Sequence, residues 1–75
     1  MSDIGEALQR HVGGRVRALR AARGLTQLRL AERSGLSRPS IANVEAGRQN
    51  VSLRQLCALA AALGVGVEEL VATPR

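Results

Sequence analysis

Arg38, Pro39, Ala42 and Asn43 fall within one short stretch of the chain. Asn and Arg can each place paired hydrogen bonds on a planar base edge, Asn on adenine and Arg on guanine. Pro39 and Ala42 add the short apolar surface that meets a thymine methyl. On a helical wheel, Ile41, Val44 and the stem of Glu45 share one arc. Pro39, Ala42, Asn43 and Ala46 fall opposite, flanked by Arg38 and Ser40. The apolar arc must face a bundle, which leaves the other outward. Its side chains are mostly short, so the backbone can come close to base edges. The same pattern also suits an ordinary solvated helix face.

A second group lies just upstream. Thr26 is a good cap for a helix over about 27 to 34, with Gln27 and Arg29 in its first turn. A helix N-terminus offers free N–H groups and a positive dipole end, which suits a phosphate. Gln27 can add a neutral hydrogen bond. A cation at Arg29 opposes the dipole by roughly 0.3–1 kcal/mol, which makes sense beside a phosphate. A solvated Arg of no consequence fits equally, because exposed charges matter little.

Other reactive groups are sparse. The chain has one Cys, one His and a single Asp. These provide no triad, no metal set and no acid–base pair, so neither an enzyme nor a cofactor or metal site is expected. Glu68 and Glu69 are adjacent and point about 100° apart on a helix; they read as solvated charges. Cys57, on an apolar stripe, is expected to be a buried, inert thiol. His11 reads as a surface residue. Nothing indicates a small-molecule ligand.

The chain has 75 residues, a formal charge of +5 and no aromatic residue. That length holds one domain, and a core of Ala, Leu, Val and Ile favours closely packed helices. The lack of aromatics argues against a single-strand binder, which stacks bases on rings. All eleven basic residues are Arg, the better side chain for phosphate and guanine, although genome base composition explains such a bias equally well. No apolar run reaches the roughly 18 residues of a membrane span, and the N-terminus lacks the regions of a signal peptide. The expected location is the cytoplasm, in association with the nucleoid.

Five helices must position these groups. Leu8, Val12, Val16 and Leu19 form a helical stripe interrupted by Gly13-Gly14, read as a continuous but weakened first helix ended by Gly24. Gly35 stops the second helix. Ser37 caps the third, Pro39 sits in its first turn, Leu36 and Ile41 staple its entry, and Gly47 closes it. After the polar loop Arg48–Val51, Ser52 caps a fourth helix with a buried stripe of Leu53, Leu56, Cys57, Ala60 and Leu63. Gly64 ends it. A last helix over about 67 to 71 is stopped by Pro74.

Gly24-Leu25-Thr26-Gln27, Leu30-Ala31, Gly35-Leu36-Ser37, Ile41, Glu45, Gly47, Ser52-Leu53 and Ala62-Leu63-Gly64-Val65 together resemble the Cro/C1-type (Xre) helix-turn-helix family. The resemblance covers about residues 14 to 71. It implies an all-α, compact five-helix bundle, a lambda-repressor-like DNA-binding domain. Residues 1–13 then form an N-terminal extension continuous with the first helix, and residues 72–75 a tail. It also implies a homodimer on a near-palindromic double-stranded operator, acting as a transcriptional regulator, most often a repressor.

By matching position, Arg38, Pro39 and Asn43 line the major groove, with Ala42 on the same face. Gln27 contacts backbone phosphate, Ser37 and Ser40 lie near the backbone or base edges, and Arg48 and Asn50 lie close to phosphate. Arg20 and Glu45 match a structural ion pair. The sequence departs from the family pattern at Pro39, where relatives carry a polar reader, at Arg29, where Glu is usual, and at Val51, where Pro is common. Leu70, Val71 and exposed apolar residues of the C-terminal half are the expected dimer interface. A competing function is an antitoxin, controller or adaptor whose main role is binding a protein partner. Such a module has no need for a short polar face.

Overall fold

Hydroxyl caps and left-handed glycines divide the chain into helices. The computed structural model describes residues 3–72. It contains α1 (Asp3–Ala22), α2 (Gln27–Ser34), α3 (Arg38–Glu45), α4 (Leu53–Leu63) and α5 (Glu68–Val71), and no strand among the described residues. Thr26 Oγ1 accepts from the Arg29 amide at 3.0 Å, and Ser37 Oγ from the Ser40 amide at 3.1 Å. Ser52 and Gln55 form a reciprocal capping box, which the sequence reading missed at Gln55. Gly35 and Gly64 close α2 and α4 in the left-handed conformation, which costs a β-carbon-free residue least. Pro39 lies in the first turn of α3, where no amide is needed. Pro74 lies outside the described residues.

The core comprises Val12, Val16, Leu25, Leu30, Ala31, Ile41, Val44, Leu56, Leu59, Ala60, Leu63 and Leu70. Leu36 is half-buried against it, beside buried Ile41 at the entry of α3. With no ring to accommodate, α1 packs close on α3. It runs unbroken through Gly13-Gly14. A β-carbon on Gly13 would run into the carbonyl oxygen of Val44 and lie 3.1 Å from that of Glu45. Gly14 faces open space.

Four expectations are corrected. Cys57 is exposed, and Leu53 is 80% exposed. The buried stripe of α4 runs Leu56, Leu59, Ala60, Leu63, the i, i+3, i+4, i+7 pattern. Cys57 lies one residue, about 100°, from Leu56 and so turns outward, while Leu53 starts the helix at the bundle's edge. Leu8 is 44% exposed, since only the later turns of the α1 stripe meet the core. Leu70 is fully buried, so α5 uses it for the core and not for an interface. His11 is half-buried, with Nε2 at the Ala72 carbonyl.

Candidate nucleic-acid interface

The face expected from the sequence to meet bases belongs to α3, held by its inner side. Ile41 and Val44 are fully buried. Arg38, Pro39 and Ala46 are exposed on the other side, while Ser40, Ala42 and Asn43 are half-buried. The Asn43 carbonyl accepts the Arg48 amide at 2.9 Å, shaping the turn after α3. The Asn43 side-chain amide has no hydrogen-bond partner among the described residues, and neither does the exposed Arg48 guanidinium.

Glu45 anchors this helix from below. Arg20 Nε donates to Glu45 Oε2 at 2.6 Å and a terminal nitrogen to Oε1 at 3.0 Å. The other terminal nitrogen donates to the Leu25 carbonyl at 2.7 Å. The two side chains are 16% and 5% exposed, so the two-point geometry is partly shielded from water. The hydrogen bond to Glu45 raises the Arg20 pKa above its ordinary value, against an opposing effect of burial.

Gln27 connects this pair to the surface. Its Nε2 donates to Glu45 Oε1 at 3.1 Å, and its Oε1 accepts from Arg38 at 3.5 Å. One amide therefore touches both the buried carboxylate and the exposed Arg38. The Thr26 cap occupies the Arg29 amide, which leaves the Gln27 and Leu28 amides without an acceptor among the described residues. Beside them lies a polar cleft of about 270 Å³, lined by Arg17, Arg20, Gln27, Ala42, Glu45 and Ala46.

Arg29 pairs with Glu32 one turn on, at 3.2 Å, with both side chains more than half exposed. Such a pair is weak and easily exchanged for another anion. Ser37 is exposed but its hydroxyl oxygen already caps α3. Asn50 is held apart from this group. Its side chain bonds Gln9 of α1 and borders an apolar groove with Leu8, Val51, Leu53 and Val71.

Sequence reasoning missed Arg17 as a lining residue of the cleft. The spacing held a usable sign of it: Arg17 precedes Arg20 by three residues, and residues three apart share a helix side.

A five-helix bundle with a short-residue helix exposed beside a second helix's amide end defines a DNA-binding helix-turn-helix domain. The chain belongs to the Cro/C1-type helix-turn-helix family of transcriptional regulators, whose helix-turn-helix pattern it matches over residues 16–70. It is 48% identical over 60 residues to the immunity repressor protein of Bacillus phage phi105. That match covers 80% of the chain and 42% of the repressor, so the chain spans under half of that relative's length. It is 41% identical over 64 residues to the HTH-type transcriptional regulator y4dJ of Sinorhizobium fredii, covering 85% of this chain and 83% of y4dJ. Among solved structures, the restriction-modification controller protein C.AhdI from Aeromonas hydrophila superposes with a TM-score of 0.83 at 45% identity. That superposition covers 85% of this chain and 97% of C.AhdI. These relatives are regulators and controllers, not enzymes. No helix among the described residues is long and apolar enough to cross a membrane.

Proposed function

We propose that the chain is a repressor that binds a near-palindromic operator as a homodimer, one half-site per subunit, with α3 in the major groove. The observation that carries this reading is the outward face of α3. It carries the uncommitted Asn43 amide, and its Arg38 and Ala42 lie beside Gln27 at the open amide end of α2. In this reading Arg38 and Asn43 hydrogen-bond base edges, and Pro39 and Ala42 meet methyl groups. Gln27, Arg29, Ser37, Ser40, Arg48 and Asn50 serve the backbone, the last after release from Gln9. The phi105 relative is named a repressor, which favours repression over activation.

With Leu70 in the core, the exposed Leu53, with half-buried Val71, is the apolar surface of the C-terminal half assigned here to a dimer contact. The half-sites then lie about 34–36 Å apart, or a multiple of that. The cytoplasm, at the nucleoid, is the location this activity requires.

The test is selection of bound sites from random duplex DNA. Recovery of a palindrome with that spacing is expected. No enrichment of any sequence overturns the reading and favours an adaptor that binds a protein.

A further inference from the structure

We infer that Arg17 of α1 is a further DNA-backbone contact, reaching the phosphate that Gln27 meets at the cleft between α1, α2 and α3. The inference rests on the operator-binding reading above and adds a residue to it.

The charges of the cleft carry the argument. Its lining holds two guanidiniums, Arg17 and Arg20, and one carboxylate, Glu45. Arg20 is committed to Glu45 by two hydrogen bonds and to the Leu25 carbonyl by a third. That pairing cancels the carboxylate, which would otherwise repel an anion. Arg17 is exposed and has neither an ion-pair partner nor a hydrogen-bonded side chain among the described residues. The cleft therefore keeps one uncompensated positive charge at its rim.

The remaining wall suits the same ligand. Gln27 contributes a neutral amide beside the open N–H groups of the α2 start, which has no acidic residue in its first turn. Ala42 and Ala46 are too short to fill the space. Ala42 belongs to α3 and Ala46 caps its end, so a strand flanking a groove entered by α3 runs past this wall. Arg17 lines the cleft from α1, a helix with no DNA contact in the operator-binding reading, and adds charged donors to the neutral ones of α2. A phosphate seated there is held by α1 and α2 at once, which fixes how far α3 enters the groove.

The experiment is fluorescence anisotropy of the full chain on its selected operator and on a scrambled duplex, across a potassium chloride series. The variants are Arg17→Ala and Arg17→Lys. Single neutral methylphosphonate linkages are then scanned along the operator. Arg17→Ala is expected to weaken binding to both duplexes by about fivefold and to lower the salt slope by about 0.9. One phosphate position whose neutralisation harms the wild type should become silent in the Ala variant, and Lys should restore it. Circular dichroism melting should match the wild type, because Arg17 holds nothing in the fold. Unchanged affinity and slope in Arg17→Ala, with the wild type binding normally, overturns the assignment. So does a uniform loss with no single silenced phosphate, which is the mark of a long-range charge effect. Failure of the wild type to bind any duplex overturns the parent reading instead.

Discussion

Gly13 of α1 lies directly against the carbonyl of Val44 near the end of α3, with no room for a β-carbon between them. Backbone meets backbone there, one residue before the carboxylate that anchors α3. The depth at which α1 packs therefore helps set the height of α3.

This relationship separates two adjacent glycines. Gly13→Ala is expected to destabilise the fold by about 2–3 kcal/mol, because the added methyl must displace main chain rather than a flexible side chain. Gly14→Ala, in open space, should stabilise it by about 0.5–1 kcal/mol through helix propensity. Thermal melts of both variants decide the matter, at about 4–8 °C per kcal/mol for a domain of this size. Equal shifts in the same direction would remove the packing explanation.

Much of this architecture can be read from sequence because caps are local. Thr26, Ser37 and Ser52 announce helix starts, and Gly35 and Gly64 announce ends, with no knowledge of what packs where. The face of a helix that becomes core is a collective outcome. Cys57 and Leu53 share spacing with the true stripe, yet Leu59 takes the inner place because the neighbouring helices fix the rotation of α4. Gly13 looks like a weak point locally, and its necessity depends on a partner some thirty residues away. The site divides in the same way. The outward arc of α3 follows from a wheel, while the sharing of one Gln27 amide between Glu45 and Arg38 depends on how α2 crosses α3.

Glu45→Ala removes the acceptor for Arg20 and Gln27 together. A loss of about 2–3 kcal/mol is expected, below the 3–5 kcal/mol typical of a fully buried pair, because Arg20 keeps the Leu25 carbonyl. Since the Arg20 pKa is raised on folding, its contribution is complete below the ordinary value and fades only as pH rises through the raised one. Arg20 therefore adds no pH dependence near neutrality. Urea melts at pH 6 and pH 9 should show the same loss, and an unaltered midpoint would mean that the pair contributes nothing.

Leu53→Glu places a charge at the most exposed large apolar residue among the described residues. Stability of the monomer should change by less than about 0.5 kcal/mol, as for other surface substitutions. Sedimentation equilibrium should show weakened self-association, and operator binding should lose steepness with protein concentration. Undiminished dimerisation would move the interface elsewhere.

Arg48→Ala removes an exposed guanidinium, without a partner among the described residues, in the turn after α3. Specific and non-specific affinity should fall alike, and the slope of log K against log salt should drop by about 0.9 for one phosphate lost. Titrations at four or more salt concentrations on operator and scrambled duplex test this. A loss confined to the operator would instead make Arg48 a base reader.

Asn43→Ala isolates base reading from folding. The Asn43 side chain makes no internal hydrogen bond among the described residues, and its structural role is carried by the backbone carbonyl that accepts the Arg48 amide. Alanine keeps that carbonyl and suits a helix better than Asn, so the melting temperature should hold or rise. Operator affinity should fall by about 1–3 kcal/mol, the worth of a bidentate base contact. Affinity for scrambled duplex should be unchanged, because no phosphate contact is removed. Repeating the random-duplex selection with the variant should return the same palindrome with one position per half-site relaxed. An equal loss on scrambled DNA would assign Asn43 to the backbone, and Arg38 would then be the one polar reader on the face.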